Sequence, residues 1–160
     1  MSRVVKLALV TVPLIVGVGF LMGQLSNSGY GNPWFDQLTK PAAMPPGWAF
    51  GAAWTAIYAL MGIALAIILA APESKMRHGA LTLFAVQLAL NYSWSPIFFG
   101  MHQLLFGLVV IIALLLLTIA TARMFGRISR AAGWLLVPYV AWLCFASYLN
   151  FEILRLNPGA

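Results

Sequence analysis

Residues 78–122 contain no Asp, Glu, Lys or Arg, and most of them are apolar. As a single helix they would run about 68 Å at a rise of ~1.5 Å per residue. The hydrocarbon core of a bilayer is only about 30 Å thick. The stretch therefore has to turn inside itself. Gly100-Met101-His102-Gln103, just after Ser95-Pro96, supplies the breaking residues and leaves spans near 79–99 and 104–122. Residues 7–25 make a third such run, and 48–71 a fourth that ends at Pro72 and the polar Glu73-Ser74-Lys75-Met76-Arg77. Arg123, Arg127 and Arg130 separate the last span, 131–154. The expectation is an all-α integral membrane protein. It has five transmembrane helices in one bundle, forming a single domain over 1–160, with a structured loop between the first and second helices.

Composition agrees. Hydrophobic side chains make up 62% of the chain and charged ones 8%, whereas a soluble domain carries roughly 25% charged residues. The nine basic residues are scattered between apolar runs, which argues against nucleic acid as a partner and for the lipid bilayer. A single cysteine, Cys144, excludes an internal disulfide framework, and its mid-span position reads as a small packing residue.

Five spans put the termini on opposite sides. Arg3, Lys6, Lys75, Arg77, Arg123, Arg127 and Arg130 then share one side, against Lys40 and Arg155 on the other. By the positive-inside rule the amino terminus is cytoplasmic and the carboxyl terminus outside, if the membrane is a bacterial inner membrane. Arg3 and Lys6 could serve a signal peptide. The first run is long for one, however, and Met22-Gly23-Gln24-Leu25-Ser26 lacks an Ala-x-Ala cleavage site, so it reads as a span.

The loop over 24–46 is the one connection with local structure of its own. In Asn32-Pro33-Trp34-Phe35-Asp36-Gln37-Leu38, Asn32 suits a helix N-cap and Pro33 the first helical position. Lys40-Pro41 stops this short helix, and Pro45-Pro46-Gly47 turns the chain into the second span. Trp34, Phe35 and Leu38 share its apolar face. Such a helix either rests on lipid headgroups or forms a lid over a cavity.

Inside the spans the polar residues are amides and aromatics rather than charges. Glu152 and Arg155, three apart, can pair near the end of the last helix. Phe50, Trp54 and Tyr58 line one face of the second span. Gln87, Asn91, Trp94, Ser95 and Phe98 line one of the third, and Pro138, Trp142, Ala146 and Asn150 one of the fifth. Trp54, Trp94 and Trp142 lie deeper than Trp48 and Trp134, which sit at span ends as an interfacial belt. These stripes suit either ordinary helix packing or a pocket for a flat, apolar, aromatic ligand. Small residues four apart, as in Gly19-Phe20-Leu21-Met22-Gly23, Gly47/Gly51/Thr55 and Gly62/Ala66/Ala70, read as close-packing rows.

Catalytic chemistry is hard to assemble. Asp36, Glu73 and Glu152 lie in separate regions, so no carboxylate pair can be proposed, and His78 and His102 have no second ligand at metal spacing. No catalytic residue and no metal ligand is assigned on these grounds, and no cofactor is required.

Three long motifs carry a resemblance. They are Lys40-Pro41 with Pro45-Pro46-x-Trp48-x-Phe50-Gly51-x-x-Trp54-Thr55-x-x-Tyr58-x-Leu60-Met61-Gly62; Gln87-Leu88-x-Leu90-Asn91-x-x-Trp94-Ser95-Pro96-x-Phe98-Phe99-Gly100; and Val137-Pro138-Tyr139-x-x-Trp142-x-x-x-Ala146-x-x-Leu149-Asn150. Together they closely resemble the tryptophan-rich sensory protein / translocator protein family, also called peripheral benzodiazepine receptors. The likeness extends in order from Trp34 to Asn157.

The resemblance implies a five-helix membrane fold, usually a homodimer. It also implies a receptor or sensor that binds porphyrins such as protoporphyrin IX and haem as ligands, together with sterols and benzodiazepine-type drugs. It assigns ligand binding to Trp34, Lys40, Phe50, Trp54, Tyr58, Asn91, Trp94, Trp142, Ala146 and Leu149, with Lys40 or Arg155 near the porphyrin propionates. The alternatives it carries are porphyrin breakdown driven by light or oxygen, in which Trp54 and Trp142 would act, and porphyrin or sterol transport. The family's sterol pattern at the end of the fifth helix is altered here, where Leu149, Phe151 and Arg155 carry Phe in place of Tyr.

Overall fold

The computed structural model describes residues 1–160, all helix and connecting loop, with no strand. Helix α1 (Arg3–Leu25) is capped by the Ser2 hydroxyl, which accepts from the Val5 amide. Helix α2 (Pro33–Gln37) lies in the first loop, and α3 (Gly47–Ala70) follows the Pro45-Pro46 turn. Helix α4 (Lys75–Ser95) runs into a π-helical turn, Pro96–Gly100. Pro96 lacks the N–H that an α-helix would need there, and the wider turn absorbs the defect. His102, at φ 56°, then reverses the chain into α5 (Leu104–Ile128).

The last long segment is not one helix. It comprises α6 (Arg130–Leu135) and α7 (Val137–Leu156), broken at Leu136 because Pro138 cannot donate into a continuous ladder. The break separates two packing jobs. α6 packs against α3 and α5, whereas α7 packs mainly along α5 and barely meets α3. Four stretches are long and apolar enough to cross a membrane: Arg3–Leu25, Gly47–Ala70, Leu104–Ile128 and Arg130–Leu156. Helix α4 has comparable length, but Lys75, Arg77, His78, Gln87 and Asn91 make it the most polar of the long helices.

Contacts between helices depend on missing side chains. A Cβ at Gly62 would lie 2.7 Å from Val12 Cα, so α1 and α3 touch backbone to backbone. The Thr11 hydroxyl donates to the Gly62 carbonyl across this contact at 2.7 Å. Gly133 performs the same service where α6 folds back on α5, since a Cβ there would lie 2.7 Å from Gly126 Cα. The core between the helices holds Met61, Ala64 and Ile68 of α3 with Leu143 of α7, and Phe84 stacks on Phe125 at 5.5 Å.

One expectation, that of Cys144, needs correcting, and the end of α3 has a partner in Arg77 that the sequence did not reveal. Its guanidinium is buried, donates to the carbonyls of Ile68 and Leu69, and pairs with Glu73 at 3.3 Å, closing the carboxyl end of α3. Cys144 is exposed on the outside of α7 rather than packed within the bundle.

Candidate functional site

The first loop folds down onto the bundle. Asn32 accepts from the amides of Trp34 and Phe35, satisfying two donors at the start of α2, and Pro33 occupies its first position. Phe35 and Leu38 are buried in a cluster with Phe98, Phe99, Leu104 and Ile153. Two ties hold the loop's ends. The Asn157 side chain both accepts from the Thr39 amide at 2.8 Å and donates to its carbonyl at 2.9 Å, while the Ser28 hydroxyl donates to Ser95 Oγ at 3.1 Å.

Beneath this roof lies a cavity of about 590 Å³, within the 300–1,000 Å³ usual for small-molecule sites. Helix α3 contributes Phe50, Trp54 and Tyr58 to its wall; α4 contributes Asn91 and Trp94; α7 contributes Trp142, Ala146 and Leu149. The cavity occupies the wedge that opens where α7, released by the break at Pro138, leaves α3. Trp54 and Trp142 touch edge to face at 6.3 Å in the cavity wall, and Phe50 meets Trp142 in the same way at 5.7 Å. Trp94 stands on the opposite side, stacked on Phe98 at 4.9 Å.

The floor is a hydrogen-bonded chain. Tyr58 donates to Asn91 Oδ1 at 2.8 Å, Asn91 Nδ2 donates to the Tyr139 hydroxyl at 2.6 Å, and Tyr139 donates to Gln87 Oε1 at 3.3 Å. Such matching offsets much of the cost of burying polar groups in an apolar interior. The indole nitrogens of Trp94 and Trp142 and the Oδ1 of Asn150, all in wall residues, have no protein partner.

Of the ten residues assigned from sequence, eight line this cavity, and Trp34 and Lys40 do not. Trp34 faces away, stacked on His102 at 4.5 Å. Lys40 is occupied in closing α2: its Nζ donates to the carbonyls of Phe35 at 2.7 Å and Leu38 at 3.2 Å, and sits over the Phe35 ring. Arg155 is bound to Glu152 at 2.7 Å and is likewise absent from the wall. No Lys or Arg lines the cavity, so the expected cation beside a carboxylate is not there. The sterol-like set also diverges, with Leu149 turned into the cavity and Phe151 51% exposed on the outer surface.

Sequence reasoning missed the α1 side. Gly19, Phe20 and Gly23 belong to the wall, as does Gly51 of α3. Their spacing was visible, but it reads as packing. Gly62 and Gly19 do pack, on Val12 and on the Tyr58 ring, whereas a Cβ at Gly23 or Gly51 would meet nothing within 4 Å.

Comparison with known proteins agrees over nearly the whole chain. The sequence profile described as the TspO/MBR family matches residues 9–156. The chain is 41% identical over 154 residues to the "Tryptophan-rich protein TspO" of Chlorobaculum tepidum, covering 94% of this chain and 98% of that one. It is 43% identical over 124 residues to the "Tryptophan-rich sensory protein" of Cereibacter sphaeroides, covering 78% and 77%. To the "Translocator protein" of Homo sapiens it is 34% identical over 148 residues, covering 91% and 88%.

Proposed function

The chain belongs to the TspO/MBR family of integral membrane proteins, and from that premise we propose that it is a receptor for a flat, apolar, porphyrin-class ligand held in the cavity beneath the first loop. The observation that carries this reading is a cavity of about 590 Å³ whose lining includes Trp94 and the contacting pair Trp54 and Trp142. Aromatic rings in edge-to-face contact at this separation leave no slot between them, so a conjugated ring system would lie against the cavity side of the pair. The matched floor of Tyr58, Asn91 and Tyr139 leaves the ligand mainly apolar and aromatic surface to contact, with the indole N–H groups of Trp94 and Trp142 as polar handles. Carboxylates on the ligand belong at the loop-side end, near water, because the wall holds no cation.

In this reading α4 and the π-helical turn are the third of five crossings, with their polar residues turned inward. Arg3, Lys6, Lys75, Arg77, Arg123, Arg127 and Arg130 then mark the cytoplasmic ends, for a bacterial inner membrane. The loop then roofs the cavity on the opposite side of the membrane.

Titration of the purified protein with protoporphyrin IX, followed by quenching of tryptophan emission, tests the assignment. Loss of two aromatic contacts of about 1 kcal/mol each makes Trp54→Ala with Trp142→Ala bind at least about tenfold more weakly. Equal affinity in the wild type and the double variant would remove this cavity as the porphyrin site.

A further inference from the structure

Helices α1 and α3 lie side by side but do not stay equally close. At Gly62 their backbones touch, with Val12 at the distance of a clash for any Cβ. Toward the loop, Gly19 is covered by the ring of Tyr58. Continuing that antiparallel register brings Gly23 level with Gly51, and there a Cβ on either helix would find open space. Both glycines belong to the cavity wall, Gly51 is exposed, and the neighbouring Phe20 is 45% exposed. Past the tight crossing, then, no side chain fills the space beside these two glycines, at a part of the cavity wall that is itself partly exposed.

The roof, by contrast, is tied down. Asn157 clasps Thr39, Ser28 bonds Ser95, and Phe35 and Leu38 are 2% and 8% exposed. The cavity meanwhile holds polar atoms with no protein partner. Asn150 is 4% exposed and its Oδ1 is unpaired, as are the indole nitrogens of Trp94 and Trp142. In an apolar interior such atoms call for a ligand that meets them.

We propose that the gap beside Gly23 and Gly51 is a lateral portal, through which an apolar ligand passes between the cavity and the bilayer leaflet on the loop side. This rests on the reading of the cavity as a binding site. A flat hydrophobic molecule concentrates in the bilayer before it meets any protein, since each buried CH₂ favours lipid by about 0.8 kcal/mol. A gap bordered by glycine has no side chain to swing aside, so passage needs no rotamer change on those two helix turns. The roof stays shut throughout, which keeps water out of the aromatic wedge.

The test narrows the gap. Gly23→Leu and Gly51→Leu place a side chain in open space on helices that favour leucine, and the alanine variants give a graded series. Two readouts are taken in phosphatidylcholine vesicles. In the first, brominated acyl chains quench the Trp54 emission, isolated by difference from Trp54→Phe. The wild type is quenched, and quenching falls at least about twofold in the leucine variants, because the bilayer contact needs an open gap. In the second, stopped-flow mixing with protoporphyrin IX gives an association rate that drops about tenfold from glycine to leucine, with alanine between. Asn157→Ala, which loosens the roof, leaves that rate unchanged.

Trp54 emission indifferent to brominated lipid overturns the portal, whether or not protoporphyrin IX binds. So does an association rate that ignores both leucines but rises with Asn157→Ala, which would place the route under the roof. Lipid quenching that responds to the leucines in a protein that binds no protoporphyrin IX defeats the proposed function and leaves the opening to lipid standing.

Discussion

Two glycines of the same apparent type carry opposite expectations. Gly62→Ala puts a Cβ 2.7 Å from Val12 Cα, 2.8 Å from its Cγ2 and 2.9 Å from its N. Carbon atoms pack at about 3.5–4.0 Å, so α1 must retreat by about 1 Å. That retreat stretches the bond from Thr11 Oγ1 to the Gly62 carbonyl, now 2.7 Å, out of range. Such an interhelical bond contributes about 0.6–1.7 kcal/mol in a membrane bundle. Overpacking adds about 1–3 kcal/mol, against a helix-propensity gain of up to ~1 kcal/mol for replacing glycine. The net expectation is a loss of about 1–5 kcal/mol. Gly23→Ala gains the propensity and meets nothing within 4 Å, so it leaves stability unchanged or raises it by up to about 1 kcal/mol. Equilibrium unfolding in mixed detergent micelles, run on both variants side by side, measures the contrast. A Gly62→Ala protein as stable as Gly23→Ala would show that α1 and α3 do not touch as described.

Asn91→Ala removes the partner of both Tyr58 and Tyr139 and leaves the Tyr58 hydroxyl unmatched in the interior. A loss of about 1–3 kcal/mol follows, and a double-mutant cycle with Tyr58→Phe shows coupling of about 0.5 kcal/mol or more; simple additivity would deny the chain of bonds. Asn157→Ala deletes both bonds to Thr39. Amide exchange in the loop, read at Phe35 and Leu38, quickens about tenfold if the clasp contributes ~1.4 kcal/mol to keeping the roof closed. Unchanged exchange would mean that the buried Phe35 and Leu38 hold it alone.

Much of the backbone plan was readable one residue at a time. The charge-free stretch had to turn, and it turns at His102. Asn32 and Pro33 begin a helix because an amide side chain can satisfy free N–H groups and proline has none to satisfy. Pro138 was legible as part of a helix face, yet its main consequence, splitting the last span so that α7 swings off α3, depends on what each half packs against. Arg77 and Lys40 illustrate a different blind spot. Both are cations that the linear chain presents as free charges, and both are consumed by backbone carbonyls at helix ends, Ile68 and Leu69 for one and Phe35 and Leu38 for the other. Nothing in spacing distinguishes a lysine reserved for a ligand from one that completes its own loop.

By itself the amino-acid order determined that the chain lives in lipid, roughly where its apolar spans run, and that aromatic residues rather than charges line their faces. These follow from hydropathy and from backbone chemistry, which act locally. Only the packed bundle decided that Gly62 is a contact and Gly23 a gap, that Trp54 meets Trp142 while Trp94 stands apart, and that Trp34 turns away from the cavity. In water a helix's buried face is its apolar one. In a bilayer both faces are apolar, so the contrast that would reveal facing is missing, and it emerges only when small side chains let the helices settle against one another.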